Sequence, residues 1–307
     1  MKLGALKVEN TKSLKSGASM LALGGIIAKI LGALYRIPLT NILGAGGMGL
    51  YQLVFPVYAL FMILSTIGIP TALSRIVAEQ RAMGNGAKKY FFACMLTLVS
   101  LSTIAAILVF CLARYIAIWQ GNVLAYKGFW IIAPSLIFVG AIAGFRGWFQ
   151  GEMYMLPTAV SNILEQLVKL ALGLTLSILF SKRGVIYAVY GALIGVTASE
   201  FVTLFYMFIT FVIHNRHGQK EKLKVSKAEA IEVFRTAFPI AIVAVLIPLS
   251  NFFDSIIIVN MLRLFGLTTE TATWQYGVLS GPVNSLVNMP IVLTLSLAIA
   301  IVPSVAV

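Results

Sequence analysis

Long apolar runs alternate with short polar links along almost the whole chain. Each run reaches or exceeds the roughly 20 residues that a helix needs to cross the hydrocarbon core of a bilayer. The pattern therefore predicts an all-α, polytopic membrane helical bundle with about eight transmembrane helices. The predicted spans are residues 16–39, 48–72, 89–113, 124–145, 157–181, 185–212, 238–262 and 276–304.

Composition supports the same class. Hydrophobic residues make up 60% of the chain and charged residues 11%, and the mean hydropathy is +0.96. Soluble domains carry about 45–50% apolar and about 25% charged residues. The chain is therefore predicted to be an integral membrane protein.

The distribution of cations predicts the orientation. With the spans above, fifteen Lys and Arg residues lie on the side of the N-terminus and five on the other side. Cytoplasmic loops carry the excess of Lys and Arg, so the N-terminus is predicted to be cytoplasmic. The net charge of +13 then reflects topology and anionic lipid, and it does not predict a nucleic-acid partner.

The longest polar segment runs from His214 to Arg235 and divides the chain. It predicts a basic cytoplasmic linker that leads into a short amphipathic helix on the membrane surface. Residues 1–213 are predicted to form a six-helix transmembrane lobe, residues 214–237 the linker, and residues 238–307 the first two helices of an incomplete second lobe.

Several charged residues lie deep inside the predicted spans. If the fifth span begins at Pro157, a rise of about 1.5 Å per residue places Glu165 about 12 Å and Lys169 about 18 Å inside the membrane. The two residues are four apart and share one helix face. Lys29 lies about 15 Å into the first span, and Glu200 lies in the middle of the sixth. Buried charges normally face a bundle interior or a wet cavity.

Each of these positions also has a structural interpretation. Lys29 could extend to the membrane interface or pair with Glu165 or Glu200. Glu165 and Lys169 could fasten their helix to a neighbour, and Arg36, near the outer end of the first span, could be an interfacial anchor. Glu200 could be a proton carrier or a counter-ion of Lys29.

A separate polar group lies in the seventh span. Pro248 frees a backbone carbonyl, and Asn251 and Asp254, three residues apart, share a helix face. A broken helix with a carboxylate and spare carbonyls suits a hard cation. The alternative is a hydrogen bond between helices.

The chain also carries motifs of a known family. They are R-G-x-F-Q-G from Arg146, then P-T-A-x-S-x-x-x-E-Q-x-x-K from Pro157, with GIPTALSRIVAEQ and FFDSIIIV elsewhere. These motifs resemble the polysaccharide biosynthesis and stage V sporulation protein B branch of the MOP flippase superfamily. That superfamily also holds the MurJ/MviN lipid II flippases and the MATE multidrug exporters. The resemblance runs over nearly the whole chain in family order.

The resemblance implies a MATE/MurJ-like N-lobe plus the start of a C-lobe. Relatives have 12 to 14 spans in two lobes, so the chain is expected to be truncated at its C-terminal end. The resemblance also implies a central cavity that meets a lipid-linked diphosphate, and a Na+ or H+ coupling site at Asp254 and Asn251. The residues expected to line the cavity are Lys29, Arg36, Glu165, Lys169 and Glu200.

Some positions depart from the lipid II flippases. Those proteins bear cavity arginines in the second and eighth spans, whereas the corresponding stretches here, FPVYALFMILST and VNSLVNMP, have none. Tyr35 and Arg36 stand where those proteins carry an Arg-Asp pair. These differences favour the sporulation or capsule-type branch.

The resemblance implies a flippase that moves an undecaprenyl-diphosphate-linked oligosaccharide, or a cell-wall or spore polysaccharide precursor, across the bacterial plasma membrane by alternating access. The alternative is a MATE-type, cation-coupled exporter of organic cations. An enzyme is not expected, because no outer loop is large enough to cover a substrate. No catalytic residue, metal or cofactor is predicted. The expected partners are the lipid bilayer and enzymes of cell-wall or polysaccharide synthesis.

Overall fold

The structure is a computed structural model that describes residues 2–66, 68–216, 227–284 and 287. Helices joined by short turns account for nearly all of these residues, and no strand forms among them. The predicted all-α class is therefore confirmed.

Nine α-helices, two π-helical segments and one 3₁₀-helix, Val123–Ala125, make up the described bundle. The helices are α1 (Lys2–Thr66), α2 (Ile69–Ala82), α3 (Lys88–Trp119), α4 (Tyr126–Gly151), α5 (Leu156–Val168), α6 (Leu174–Ser181), α7 (Val185–His214), α8 (Lys227–Leu264) and α9 (Thr269–Val278). One π segment, Lys169–Gly173, joins α5 to α6, and the other, Leu279–Val283, follows α9.

The first two predicted spans are joined more closely than the sequence indicated. We expected a turn over residues 40–47, but α1 runs from Lys2 to Thr66 and is interrupted only at Gly44, where φ is 61° and ψ is −178°. A glycine adopts this conformation without a steric penalty, so one residue is enough to break the helix. The second predicted span, 48–72, ends at Thr66, and Gly68, with φ of 60°, separates it from α2.

Within the described residues, six helical segments are long and apolar enough to cross a membrane. The first, Ser19–Ala82, has 64 residues and would be about 96 Å long as a straight helix, enough for more than two crossings. Its break at Gly44 fits the first two predicted spans. The other segments are Lys88–Trp119, Val123–Gly151, Leu156–Ser181, Val185–His214 and Ala244–Leu264.

The seventh predicted span differs at its N-terminal end. We expected a short surface helix within residues 214–237, separate from this span, but α8 is continuous from Lys227 to Leu264. No break separates such a helix from the apolar segment, and the place of its first turns on the membrane surface stays a prediction. Residues 217–226 of the predicted linker and most of the eighth predicted span, 276–304, lie outside the described residues.

The core of the bundle lies where α1, α3, α4 and α7 meet. Large apolar side chains from all four helices, among them Leu53, Val109, Phe129 and Leu193, are fully buried there. Burial of each such side chain contributes about 1.5–3 kcal/mol relative to water. This packing holds α3, α4 and α7 together around α1.

The α8–α9 segment packs against α1 and against the turn between α3 and α4. The Gln120 amide donates to the Ser255 hydroxyl at 2.8 Å, and the Asn122 amide donates to the Thr273 hydroxyl at 2.9 Å. The turn that carries Gln120 and Asn122 lies on the side predicted to be outside. These hydrogen bonds therefore fasten the two parts of the bundle at their predicted outer ends.

Close packing of α1 against α9 predicts a steric effect at Gly49. A Cβ atom there would collide with the Thr273 carbonyl oxygen, whereas a Cβ on Gly46, one turn away, would meet no atom within 4 Å. Gly49→Ala is expected to destabilise the protein by about 1–3 kcal/mol. Gly46→Ala is the matched control and should be neutral or stabilising by up to about 1 kcal/mol, because alanine favours helices. Thermal unfolding in detergent measures both, and equal midpoints would contradict this packing.

Candidate functional site

An open cavity lies between α1, α8, α9 and the π segment that follows α9. It has a volume of about 420 Å³. Three of the residues predicted from sequence, Arg36, Asn251 and Asp254, line it together with Gln52 and Tyr276. We call this space the large cavity. The structure therefore brings the first-span cation and the seventh-span polar pair to one site.

A second space lies on the other side of Arg36, between α1 and the start of the π segment Lys169–Gly173. Its volume is about 160 Å³, and we call it the small cavity. Arg36, Lys169, Tyr35, Tyr51 and Gln166 are among the residues that line it. Arg36 therefore belongs to the walls of both cavities.

Arg36 is held by a backbone group of the π segment after α9. Its Nη2 atom donates to the Ser280 carbonyl oxygen at 2.8 Å, and Gln52 Nε2 donates to the same oxygen at 2.9 Å. Single π-helical turns are rare and often occur at functional sites. Among the described residues, no carboxylate lies within ion-pair distance of Arg36. The guanidinium is therefore half-buried, and it has no anionic partner among the described residues.

An ion-paired cluster lies inside the bundle, between α4, α5 and the start of the π segment that follows α5. Glu165 contacts Lys169 Nζ at 3.4 Å, as the i,i+4 spacing predicted, and it also contacts Arg146 Nη2 at 3.2 Å. Arg146 Nε donates to the Ser161 hydroxyl at 3.0 Å. Two cations share one carboxylate, so this group carries a net charge of about +1 when all three side chains are ionised.

Glu200 joins the same polar region from α7. Its side chain is 5% exposed and lies beside Tyr58, within electrostatic range of Glu165, Lys169 and Arg146. Glu200 forms no ion pair with Lys29 in the described structure, which is contrary to the alternative that the two are counter-ions. The nearest cations to Glu200 come instead from α4 and from the start of the π segment between α5 and α6.

Lys29 lies apart from these groups. It is exposed, lines neither cavity, and forms no ion pair with Glu165 or Glu200 in the described structure. Because it precedes Arg36 by seven residues, it lies on nearly the same face of α1, about 10.5 Å closer to the N-terminus. Its role in a central cavity stays a prediction.

Sequence reasoning missed part of the site. The predicted fourth span ends at residue 145, one residue before Arg146, but α4 extends to Gly151 and carries Arg146 into the cluster with Glu165. Its place in the R-G-x-F-Q-G motif, next to the motif that holds Glu165 and Lys169, was the available signal. Tyr58 and Gln52 gave no such signal, because their polar contacts come from distant parts of the chain.

The fold and the site define an all-α, multi-pass membrane protein with charged side chains in its interior and two neighbouring cavities that share lining residues. The chain belongs to the polysaccharide biosynthesis protein family, whose model matches residues 14–306.

Curated relatives from Bacillus subtilis (strain 168) align over almost the whole chain. The chain is 29% identical over 299 residues to stage V sporulation protein B, covering 94% of this chain and 57% of that relative. It is 27% identical over 318 residues to the lipid II flippase MurJ, covering 96% of this chain and 58% of that relative. The chain spans 54–64% of the length of the curated relatives it matches.

Solved structures share the architecture. A MATE protein in complex with MaD5 aligns with a TM-score of 0.66 at 17% identity and covers 96% of this chain and 72% of its own. The MATE multidrug transporter DinF-BH aligns with a TM-score of 0.63 at 18% identity, covering 94% and 64% of the two chains. These similarities establish a MATE-like helical fold for the described bundle.

The cluster around Glu165 predicts a difference between interior and surface ion pairs. Glu165→Gln removes the anion from two largely buried cations, which is expected to destabilise the fold by about 3 kcal/mol. Glu79→Gln is the matched control, because it removes a carboxylate from the exposed Arg75–Glu79 pair, where such pairs contribute about 0–1 kcal/mol. Thermal unfolding in detergent should show a clearly larger fall for Glu165→Gln. Equal falls would mean that the cluster is solvated like a surface pair.

Proposed function

We propose that this chain provides the first lobe and part of the second lobe of a flippase. Its cargo is a lipid-linked saccharide, such as an undecaprenyl-diphosphate oligosaccharide or a cell-wall or spore polysaccharide precursor. The lobes translocate it across the bacterial plasma membrane by alternating access, and no bond is made or broken. The observation that supports this proposal is Arg36, a half-buried cation on the wall of both cavities without a described carboxylate partner.

The balance of interior charge favours an anionic cargo. A charge removed from water is costly unless it is paired, so a half-buried guanidinium without a carboxylate partner among the described residues favours binding of an anion. Lys169 supplies a second cation on the small cavity, and the only carboxylate it contacts among the described residues, Glu165, is shared with Arg146. A diphosphate head group carries the negative charge that would balance Arg36 and Lys169.

A cation-coupled exporter of organic cations is the second candidate. Asp254, Tyr276 and Phe55 on the large cavity favour it, because carboxylates and aromatic rings attract cations. Arg36 on the same cavity wall opposes it, since like charges repel. The cargo itself therefore distinguishes the two functions.

The direction of transport and its coupling to an ion depend on charges at two further places in the chain. The excess of Lys and Arg supports a cytoplasmic N-terminus, so cargo would be taken up on the side where polysaccharide precursors are assembled. Asp254 and Asn251 are exposed to the large cavity and offer oxygen atoms to a coupling Na+, or a carboxylate to a coupling H+. Enzymes of cell-wall or polysaccharide synthesis would supply and consume the cargo.

Loss of the Arg36 charge tests the cargo class. Arg36→Gln is expected to reduce retention of an undecaprenyl-diphosphate saccharide about tenfold or more, because a charge-assisted hydrogen bond to phosphate is lost. Native mass spectrometry of the gently extracted full chain measures the bound lipid. Arg183→Gln is the matched control, because it removes an exposed guanidinium in the turn after α6. Retention of a cationic dye with only bulk phospholipid would instead favour the exporter.

Loss of the Asp254 carboxylate tests the coupling site. If retention of the saccharide lipid varies with Na+ concentration or with pH, Asp254→Asn is expected to abolish that dependence, because the amide can neither balance a cation nor take up a proton. Glu270→Gln, an exposed carboxylate in the first turn of α9, is the control of equal charge change. Titrations in NaCl against KCl and from pH 6 to pH 8 separate the two ions. A dependence that persists in Asp254→Asn would place coupling elsewhere.

A further inference from the structure

The turn between α3 and α4 is shaped by a motif that ends helices. The Gly121 amide donates to the Ile118 carbonyl at 3.0 Å. The Asn122 amide donates to the Ala117 carbonyl at 3.1 Å. This pair of hydrogen bonds is a Schellman motif, and Gly121 takes its left-handed position with φ of 76°. The motif fixes the backbone at the end of α3, and with it the positions from which the Gln120 and Asn122 side chains extend.

Both of these side chains bind the α8–α9 segment inside the bundle. Gln120 is 0% exposed and Asn122 is 4% exposed. The Gln120 amide donates to the Ser255 hydroxyl of α8 and also to the Leu53 carbonyl of α1, each at 2.8 Å. The Asn122 amide donates to the Thr273 hydroxyl of α9 at 2.9 Å. One short turn therefore joins α1, α8 and α9.

Two side chains of α8 bind the end of α3 in return. The last carbonyls of a helix have no partner within the helix itself. Asn260 Nδ2 donates to the Trp119 carbonyl at 2.7 Å, and Arg263 Nη1 donates to the Gly121 carbonyl at 3.4 Å. A cation at the C-terminus of a helix also interacts favourably with the helix dipole. Separation of α8 from the turn would leave both carbonyls to water.

One atom of the turn is not satisfied by this contact. The side-chain oxygen of Gln120, Oε1, is buried and has no hydrogen-bond partner among the described residues. A buried acceptor without a donor is costly, whereas water would supply a donor. This atom therefore opposes the closed contact, while the hydrogen bonds to α8 and α9 favour it. Opposing contributions of this kind can bring a closed and an open arrangement close in free energy.

The turn lies directly beside the large cavity. Gln52 and Asp254 line that cavity, and the next residue of each helix, Leu53 and Ser255, binds Gln120. Consecutive residues are about 100° apart around a helix axis. One face of α1 and α8 therefore lines the cavity, and the adjacent face holds the turn. A motion that separates α8 from α1 at this end has to break a hydrogen bond of the turn.

We propose that the α3–α4 turn, residues Gln120, Gly121 and Asn122, is an outer latch. Its hydrogen bonds hold α8 and α9 against α1 beside the large cavity. Water that replaces these hydrogen bonds lets α8 move away and opens the cavity towards the predicted outer side. The proposal rests on the alternating access of the proposed function and is independent of the cargo.

The test removes the acceptors on α8 and α9. Ser255→Ala and Thr273→Val together delete the two buried hydroxyls that the latch binds, with little change in side-chain shape. Ser199→Ala with Thr203→Val is the matched control. Those two hydroxyls are also buried, and they donate to carbonyls of their own helix, α7.

A cysteine at Val259 reports the opening. Val259 is fully buried on α8 and lies close to Gly121. In the full 307-residue chain with Cys94→Ala and Cys111→Ala, Val259→Cys leaves one thiol. In intact cells, a maleimide that cannot cross the membrane reaches this thiol only from outside. The latch variant is expected to react about tenfold faster than the control, because two hydrogen bonds of the closed arrangement are lost.

Three results would overturn the proposal. The first is equal reaction rates in the latch variant and its control, with both proteins folded by thermal unfolding. The second is equally fast reaction of the chain with an intact latch, since α8 would then not stay on the turn. The third is reaction only in inverted vesicles, which would place the turn on the inner side. If the double variant does not fold, Thr273→Val alone is expected to react about fivefold faster than Thr203→Val.

Failure of the latch and failure of the proposed function give different results, because the labelling needs no cargo. A chain that retains the saccharide lipid but reacts at equal rates in the latch and control variants is a flippase candidate without this latch. A chain whose latch variant reacts faster, but which never retains the saccharide lipid, has the latch and a different cargo.

Discussion

The absence of water in the hydrocarbon core of a bilayer constrains every polar group in this protein. A backbone or side-chain group that finds no partner there costs several kcal/mol. The helices satisfy their own backbones, and interior hydroxyls such as Thr203 and Ser177 donate to carbonyls of their own or a neighbouring helix. A backbone carbonyl accepts a hydrogen bond but does not neutralise a charge, so cationic and anionic side chains of the fifth span and its neighbour α4 converge. The ion-paired group of Arg146, Glu165 and Lys169 is the result, and the helices that carry these residues are positioned by it.

The same constraint explains why the junction of the two parts of the bundle is polar. Ser280 lies in a π-helical turn, and its carbonyl accepts hydrogen bonds from Arg36 and Gln52. Tyr276 returns a hydrogen bond to the Gln52 carbonyl at 3.3 Å. An interface built from such contacts can exchange its partners more easily than an apolar core, because each polar group can be transferred to a ligand of similar chemistry. Arg36, which lies at this junction and on both cavities, is the residue for which such an exchange has the largest consequence.

Local patterns predicted most of the fold and part of the site. Hydropathy predicted the spans, because a helix in lipid must be apolar over a fixed length. The i,i+4 spacing predicted the contact between Glu165 and Lys169. The contact between Arg36 and Ser280 joins residues 244 positions apart, and no local pattern carries that information. The continuity of α8 and the inclusion of Arg146 in α4 were missed for a related reason: helix ends in this bundle are set by packing and by partners on other helices, and only partly by local sequence.

The π segment between α5 and α6 also changes the angular position of the side chains that follow it around the helix axis. Ser161 and Ser177 are both fully buried, yet on a regular α-helix their separation of sixteen residues would place them about 160° apart, on nearly opposite sides. The extra residue of one wide turn removes about 100° of rotation and brings both hydroxyls to a similar azimuth. The fifth crossing therefore consists of two α-helical halves, and the extra residue of the π turn sets the rotation of one half relative to the other. Loss of a single residue between Lys169 and Gly173 would leave a regular α-helix in which the two hydroxyls keep their relative azimuth, whereas closing the wide turn without losing a residue would rotate the distal half by about 100°.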